Sequence, residues 1–307
     1  MKYSKTFPAT FSRSQKDLRI YVFMAVSVFL IFCLYLYTMF LLDEKTIDVD
    51  YDIPHKEYLE KNGVCICKKA IGRETINAVK SACASKKYTD AKNTLLRDEN
   101  LLRFIQEATG SPHYVFQDYI WVIQKSSVHT CHRDNNGDFF NPGQKYPSYT
   151  MLVYLEDMDR CLSVIPTSHT HVDSYFTNFN DSLHTVFCNQ GDAILFNANL
   201  IHAGCINDKD DHLRIQLKVS HRDDIPKLDY YQNYNKVLNE SNSIPRPMRK
   251  FQKHISCMFP GVSNYTQQEN ISSARGSDNG AKIGYGQRLF SYLFYGNENY
   301  YDLKNIG

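Results

Sequence analysis

The sequence of 307 residues lacks an excess of charge of either sign, and this limits the partners that the protein can have. It contains 35 basic and 33 acidic residues, of which 30 basic and 32 acidic residues follow residue 42. A domain that binds nucleic acid usually concentrates positive charge on one face. We therefore predict no nucleic-acid partner.

The nine cysteines lack the spacings of common metal and redox motifs. The sequence contains no Cys-x-x-Cys pair and no zinc pattern. Cysteines outside the N-terminal segment can pair as disulfides if that part of the chain lies in an oxidising compartment. Four of them fall in apolar, strand-like runs, where a small buried thiol is the expectation. These four are Cys131, Cys161, Cys188 and Cys205.

Charge is absent from one long stretch near the N-terminus. Residues 20–42 form an uncharged run of 23 residues, which spans roughly 35 Å as a helix and can cross a bilayer. The run is too long for a cleaved signal peptide, and no small-x-small cleavage site follows it. A buried globular helix is rarely apolar on every face over such a length. We predict a retained transmembrane signal-anchor helix.

The flanks of this run predict its orientation. Five basic residues and one acidic residue precede it, whereas the sequence DEKTIDVDYD on the other side is mainly acidic. The positive-inside rule then makes residues 1–19 a cytoplasmic tail. The remainder lies across the membrane, in a lumenal or other extracytoplasmic space, of which a virion membrane is one case. This is a single-pass type II arrangement, with residues 43–55 as a linker.

The remaining sequence predicts an α+β fold that is mainly β. Helical periodicity appears around residues 73–85 and 94–110. From Tyr114 onward, short runs rich in β-branched and aromatic residues alternate with turn signals, which is typical of strands in a sandwich or barrel. After about Pro226 the periodicity fades. Residues 226–307 are therefore interpreted as a Tyr/Asn-rich irregular extension.

Three His-x-Asp triplets occur, and roughly one is expected by chance. They begin at His132, His171 and His221. On a strand, the period of two places both side chains of such a triplet on one face. Two imidazoles and one carboxylate form the facial triad of non-haem Fe(II) oxygenases. The triplet His132-Arg133-Asp134 follows a predicted strand, and His202 ends a later one.

Arg214 follows His202 in the strand-like run LRIQLKV. A guanidinium group there can form a two-pronged pair with the distal carboxylate of a dicarboxylate such as 2-oxoglutarate. The other two triplets come too late in the chain to begin a barrel of this kind. We interpret them as surface polar residues.

In this order the motifs resemble the phytanoyl-CoA dioxygenase-like family of Fe(II)/2-oxoglutarate-dependent oxygenases. The resemblance covers about residues 56–225, and its final block is the most specific part. The motifs are YLEKNGVCICKKAIGRETINAV, CHRD, YTMLVYLEDMDRCLSVIPTSH, and GDAILFNANLIHAGCIN followed by Arg214.

The resemblance implies a double-stranded β-helix, that is, a cupin-like jelly-roll barrel with supporting N-terminal helices. It implies that His132, Asp134 and His202 bind Fe(II), that Arg214 anchors 2-oxoglutarate, and that Tyr149 lines the cosubstrate pocket. No catalytic residue beyond the metal centre is implied. The implied reaction hydroxylates an aliphatic C–H bond with O2 and releases succinate and CO2, with ascorbate as an additional candidate cofactor. The substrate can be a small molecule, lipid, glycan or protein.

The sequence departs from the family pattern at three positions. Arg160 and Thr167 replace glycines, and Gly204 replaces a hydroxyl residue that usually lies two positions after the second histidine. These departures bear on turn geometry and on 2-oxoglutarate binding, but not on the metal triad.

Two other classes of function fit the type II arrangement. A lumenal glycosyltransferase would use an Asp-x-Asp motif, and Asp157-Met158-Asp159 is present, although nothing around it resembles a nucleotide-sugar βαβ unit. A non-catalytic, membrane-displayed binding protein on an inactive barrel is the other alternative.

Overall fold

The computed structural model describes residues 11–41, 45–47, 53–125, 128–171, 183–209, 211–261, 263–265, 284–298 and 306. The chain divides into two compact units, residues 1–43 and residues 44–307. The first unit contains helix α1, Phe11–Leu41. Its segment Leu18–Leu36 is long and apolar enough to cross a membrane, and none of it is buried. By length and composition this helix fits the predicted span.

Four short helices lie in the first part of the second unit. They are α2 (His55–Asn62), α3 (Arg73–Ala84), α4 (Tyr88–Leu96) and α5 (Glu99–Thr109). The sequence predicted one helix over residues 94–110, and this is wrong because Asp98 begins a new one. Its carboxylate accepts hydrogen bonds from two backbone N–H groups of the first turn of α5, at 3.0 and 3.2 Å. Gly110 ends α5 in the left-handed conformation, as predicted.

Eleven strands lie in the described part of the chain. They are β1 (Lys45–Thr46), β2 (Val64–Cys67), β3 (Tyr114–Phe116), β4 (Tyr119–Ile123), β5 (Tyr149–Tyr154), β6 (Leu162–Val164), β7 (His184–Val186), β8 (Ala193–Asn197), β9 (His202–Gly204), β10 (Arg214–His221) and β11 (Tyr234–Leu238).

These strands form two sheets. The larger has the order β11-β4-β10-β5-β8-β2, with β3 also paired to β10, and the smaller has the order β1-β7-β6-β9. Leu152 and Phe196 of the larger sheet pack with Leu162, Val164 and Val186 of the smaller sheet in one buried cluster. Two packed sheets with helices are consistent with the predicted jelly roll.

Strand β10 shows how the alternation of side chains positions the site. Ile215, Leu217 and Val219 pack in the main core with residues of α2, α3 and α5. Because successive side chains of a strand point to opposite faces, Arg214, Gln216 and Lys218 point to the other face. These polar side chains therefore lie in the space between the two sheets.

The predicted irregular extension is wrong for much of its length. Residues 222–231 form a 3₁₀ segment, and β11 pairs in parallel with β4. Helices α6 (Arg246–Met258) and α7 (Tyr285–Tyr295) lie farther along the chain, while residues 266–283 lie outside the described residues. The predicted linker is also partly ordered, because β1 pairs with β7.

A disulfide joins Cys131 to Cys257 of α6, with 4.8 Å between their Cα atoms. Cys131 was expected to be a buried free thiol; it is buried but paired. The partner is 126 residues away in the sequence, a distance over which cysteine spacing gives no signal. The bond fixes the segment immediately before His132 to the C-terminal region.

Candidate metal centre

The structure brings the side chains of His132, Asp134 and His202 together in the space between the sheets. One potential ligand atom from each lies within 4.8 Å of the others, and all three residues are buried. The imidazole Nε2 atoms of His132 and His202 are 3.8 and 3.7 Å from Asp134 Oδ1. The backbones of the two histidines also pair directly, with N–H to O distances of 2.9 and 3.0 Å.

Backbone carbonyl groups fix the orientation of both imidazoles. The Nδ1–H of His132 donates to the carbonyl of Thr130 at 2.8 Å, and that of His202 donates to Leu200 at 2.9 Å. Donation from Nδ1 leaves the Nε2 lone pair of each ring facing Asp134. This is the tautomer and the outer hydrogen bond that metal-binding histidines usually have.

The carboxylate of Asp134 is oriented by three donors on its other oxygen. Its Oδ2 accepts from Lys218 Nζ at 2.8 Å, from Gln216 Nε2 at 3.2 Å, and from the hydroxyl of Thr150. Lys218 Nζ also donates to Asn136 Oδ1 at 3.0 Å. Because these groups hold Oδ2, Oδ1 is directed toward the two Nε2 atoms.

Burial and neighbouring charge set the protonation states of the three groups. Burial raises the pKa of Asp134, but the cation of Lys218 and the two imidazoles lower it by more, so that the pKa lies below its ordinary value. Burial lowers the pKa of His202 to about 3 and also lowers that of His132. At neutral pH the site therefore presents one carboxylate and two neutral imidazoles, the forms that bind a metal ion.

A pocket opens beside these three residues. Its wall is mostly apolar and is formed by Ile123, Val128, Leu152, Cys161, Leu162 and Phe196. Arg214 and Gln216 are its polar residues on β10. The backbone register places Gln216 between Trp121 and Leu152, and Arg214 between Ile123 and Tyr154. Arg214 thus lines the pocket that contains the three donors.

The donor set fits a divalent iron centre. Two imidazole nitrogens and one carboxylate oxygen converge from one side, which leaves other coordination positions for a cosubstrate and O2. In the described part of the chain, no other group of three such side chains converges in this way.

Comparison with known proteins identifies the family. The model of the phytanoyl-CoA dioxygenase (PhyH) family matches residues 60–211. This domain belongs to the phytanoyl-CoA dioxygenase family. The family predicted from the sequence motifs is thereby confirmed. Among curated proteins, none matches the chain.

Several solved structures align with part of this chain. The epimerase SnoN of nogalamycin biosynthesis, in complex with Fe3+, alpha ketoglutarate and nogalamycin RO, is 14% identical over 54% of this chain and 82% of its own, with a TM-score of 0.45. HygX from Streptomyces hygroscopicus, with nickel and 2-oxoglutarate bound, is 16% identical over 57% of this chain and 87% of its own, with a TM-score of 0.38. AviO1 from Streptomyces viridochromogenes Tue57 is 14% identical over 57% and 96%, with a TM-score of 0.40.

Tyr149 does not lie where the family resemblance implied. It packs in the core with Met151 and Val153, on the face of β5 opposite to Thr150, and its ring contacts Tyr114 at 5.4 Å between centroids. The prediction is wrong by one position along the strand, because neighbouring residues of a strand face opposite sides. Thr150 and Leu152 are the residues of β5 that face the site.

The sequence interpretation also missed Lys218, Gln216, Thr150 and Trp121 in this PhyH-family domain. A signal for two of them was present in LRIQLKV, where polar side chains occupy every second position of a predicted strand. Such a pattern in an otherwise apolar strand indicates a polar surface inside the barrel.

The two rival triplets do not join the site. His171 is exposed, and Asp173 lies outside the described residues. His221 was interpreted as a surface residue, but it is 7% exposed because its ring stacks on Tyr146 at 3.8 Å between centroids. It contacts Asp223 at 3.8 Å without a third partner of the kind that a metal site needs.

The family departures affect the site unequally. Thr167 has a φ of +66°, so the left-handed turn is kept although the glycine is replaced. Gly204 lines the pocket and brings no hydroxyl group to it.

We expect metal binding to depend less on pH between pH 8 and pH 6 than it would with two ordinary imidazoles. An imidazole with an ordinary pKa of about 6.5 binds protons in competition with metal in this range. The lowered pKa of both histidines moves this competition to lower pH, so that affinity falls only as the pH approaches their folded values. Calorimetric titration with Ni(II) at pH 8, 7 and 6 measures this. A loss of affinity of about tenfold between pH 8 and pH 6 would show that the imidazoles titrate normally.

Proposed function

We propose that the protein is an Fe(II)/2-oxoglutarate-dependent oxygenase that hydroxylates an aliphatic C–H bond. His132, Asp134 and His202 bind the iron, and Arg214 anchors 2-oxoglutarate. The observation that carries this proposal is the convergence of three oriented donor atoms beside a pocket that Arg214 lines. Membership of residues 60–211 in the PhyH family supports the same reaction class.

The residues of the chain have separate tasks in this reaction. The two Nε2 atoms and Asp134 Oδ1 hold the metal, while Lys218, Gln216 and Thr150 keep Oδ1 in place. Arg214 orients the cosubstrate by binding its distal carboxylate. With iron, 2-oxoglutarate and O2 bound, the centre supplies the oxidation of a C–H bond to an alcohol, and 2-oxoglutarate is converted to succinate and CO2. The apolar wall keeps water from the reacting carbon.

We expect Arg214→Met to weaken 2-oxoglutarate binding by about 10- to 100-fold, because a charge-assisted, two-pronged contact is lost. Affinity for Ni(II) should not change, since Arg214 contributes no donor to the metal. Calorimetry with the Ni(II)-loaded protein measures both affinities. Arg222→Met is a matched control, because Arg222 is exposed and lies just beyond β10. Equal affinities for 2-oxoglutarate in the wild type and in Arg214→Met would remove Arg214 from its proposed role.

The reaction itself is tested by succinate formation. The full-length protein in detergent is incubated with Fe(II), 2-oxoglutarate, O2 and ascorbate, together with fractions that contain lipids, glycans, small molecules or secretory-pathway proteins. We expect succinate to form in an Fe(II)-dependent way with at least one fraction. Absence of both metal uptake and 2-oxoglutarate binding in the wild type would favour the non-catalytic alternative.

The glycosyltransferase alternative gains no support from the geometry. Asp157 lies in the turn after β5, and its carboxylate accepts a hydrogen bond from the backbone N–H of Gln190 at 2.7 Å. Asp157 and Asp159 belong to no converging group of metal-binding side chains in the described residues.

We also propose that α1 anchors the protein in a membrane, with the oxygenase domain on the extracytoplasmic side. The basic residues that precede the apolar segment support this orientation. The disulfide between Cys131 and Cys257 supports an oxidising compartment. Protease treatment of sealed microsomes that carry a C-terminally tagged protein tests it. The tag should be protected until detergent is added, and digestion without detergent would contradict the proposed topology.

A further inference from the structure

The segment that carries the first proposed metal ligand, residues 129–133, is joined to the C-terminal region through four of its five residues. The partners lie on α6, on α7 or between them, beyond residue 211, where the family match ends. The contacts are His129 Nε2 with Gln252 Oε1 at 3.0 Å, the hydroxyl of Thr130 with that of Tyr295 at 2.7 Å, the Cys131 N–H with Ser256 Oγ at 2.8 Å, the disulfide between Cys131 and Cys257, and the Arg133 N–H with Asn264 Oδ1 at 3.1 Å. The C-terminal region thus holds the chain on both sides of His132.

This segment has little regular structure of its own. It is not a strand, and its pairing with β9 is an isolated bridge between His132 and His202. His202, in contrast, lies in β9, which pairs with β6 over three residues. A backbone segment outside a strand ladder keeps more conformational freedom unless other contacts restrict it. The C-terminal contacts therefore supply for His132 a restriction that the sheet supplies for His202.

Tyr295 of α7 is connected to His132 through one residue. Its hydroxyl bonds to the side chain of Thr130, and the backbone carbonyl of Thr130 accepts the Nδ1–H of His132 at 2.8 Å. Both Tyr295 and Thr130 are fully buried, so that water does not compete for this hydrogen bond. Because Tyr295 holds Thr130, it helps to fix the carbonyl that orients the imidazole of His132.

The ring of Tyr295 also supports the wall of the pocket. It packs in one buried cluster with Ile123 and Val128, and both of these residues line the pocket. It also contacts the ring of His129, with 4.9 Å between centroids. Helix α7 therefore supports the site at two places, the ligand segment and the apolar wall.

We propose that the C-terminal region is a positioning element of the metal centre and that Tyr295 is a positioning residue in it. The region keeps residues 129–133 in the metal-binding conformation before a metal ion arrives. Tyr295 does not line the pocket, and it acts on His132 through Thr130. This inference rests on the proposed oxygenase function. It implies that residues 60–211, which match the family, do not form a site of full affinity by themselves.

Positioning of this kind changes metal affinity through the fraction of the metal-free protein that is ready to bind. When only part of the molecules hold the segment in place, the apparent affinity falls by that fraction. A contact whose loss leaves the segment in place would change the stability of the protein but not its affinity for metal. Metal affinity therefore separates a positioning role from a purely structural one.

The first test compares two tyrosines of the same helix. Tyr295→Phe removes the hydroxyl and keeps the ring, and we expect about 3- to 10-fold weaker Ni(II) binding because one buried hydrogen bond no longer holds the segment. Tyr292→Phe is the matched control, since Tyr292 is 56% exposed, and its affinity should equal that of the wild type. Calorimetric titration of the full-length protein in detergent measures the affinities. Equal affinities in Tyr295→Phe and Tyr292→Phe would overturn the inference.

The second test measures the segment directly, by hydrogen exchange of the metal-free, full-length protein. In Tyr295→Phe, the amides of residues 128–134 should lose most of their protection, whereas those of β10 should stay protected. Ni(II) should restore the protection of residues 128–134. Retained protection of this segment in metal-free Tyr295→Phe would overturn the inference, and so would an equal loss in β10, because that loss would reflect general destabilisation.

The outcomes distinguish this inference from the proposed function. If the wild type takes up no Ni(II), the proposed function is overturned, and the inference with it. If the wild type binds Ni(II) and Tyr295→Phe binds it equally well, the inference alone is overturned, and the assignment of His132, Asp134 and His202 as ligands is unaffected.

Discussion

His202→Ala should lose at least about 100-fold in metal affinity and should form no measurable succinate. Loss of a residue that only hydrogen-bonds to a metal ligand lowers metal affinity or activity by about 10- to 100-fold. Because His202 is proposed to be a ligand itself, its loss should have an effect at least as large. Its Nε2 is 3.7 Å from Asp134 Oδ1, and alanine offers no donor in its place. Metal content after dialysis and succinate formation measure the effect.

His171→Ala is the matched control for this variant. His171 belongs to a second His-x-Asp triplet, but its side chain is exposed. Metal affinity in this variant should equal that of the wild type. If His202→Ala retains metal and activity, or if His171→Ala loses them, the ligand assignment is wrong.

Lys218→Met should destabilise the metal-free protein by about 3–5 kcal/mol at neutral pH. Lys218 is 1% exposed, and its ammonium group donates to Asp134 Oδ2 at 2.8 Å. Methionine fills a similar volume but leaves the buried carboxylate without a compensating cation. Urea denaturation of the metal-free and Ni(II)-loaded proteins measures the loss. We expect Ni(II) to restore part of the stability, because the metal ion supplies positive charge to the same carboxylate.

The pH dependence of this effect has a definite sign. In the wild type, Lys218 helps to lower the pKa of Asp134 below its ordinary value. The stability that this carboxylate contributes is therefore present above the unfolded pKa, about 3.9, and is lost as the pH falls toward the folded pKa. In Lys218→Met, the cation no longer lowers the pKa of Asp134, so protonation relieves the unpaired charge at a higher pH than in the wild type. The difference in stability between the two proteins should consequently shrink as the pH is lowered from 7 toward the pKa of Asp134 in the variant.

Lys61→Met is the control for the chemical change, because Lys61 is exposed on α2. Its free energy of unfolding should stay within about 0.5 kcal/mol of the wild type. A stability of Lys218→Met equal to that of this control would show that Lys218 does not compensate the charge of Asp134.

The sequence alone indicated site residues where the two-residue period of a strand determines the direction of the side chains. His132 and Asp134 are two positions apart, and Arg214 lies in a clearly apolar strand, so their common direction could be predicted. Tyr149 was misplaced because a motif gives the strand but not the face, and a shift of one position reverses the direction of a side chain. Lys218 was missed because its partner, Asp134, is 84 positions away.

The fold could be predicted where local sequence signals were strong. It could not be predicted where an element depends on a partner that is far away in the sequence. The capping carboxylate of Asp98 divided one predicted helix into two, and such a cap can be recognised only with its two N–H donors. Strand β11 is short and polar in part, and it is a strand because the edge of β4 is available to it. The partner of Cys131 lies in a helix that the sequence pattern did not reveal.

The binding of 2-oxoglutarate to the metal-loaded protein tests the central claim most directly. Calorimetric titration of the full-length protein should show one molecule bound per chain in the presence of Ni(II), with no measurable binding when the metal is removed. His202→Ala should bind no measurable 2-oxoglutarate even with Ni(II) present, and the affinity for 2-oxoglutarate should fall in Arg214→Met. Binding that is independent of the metal, or no binding at all, would contradict the assignment of His132, Asp134, His202 and Arg214 to an iron and 2-oxoglutarate site.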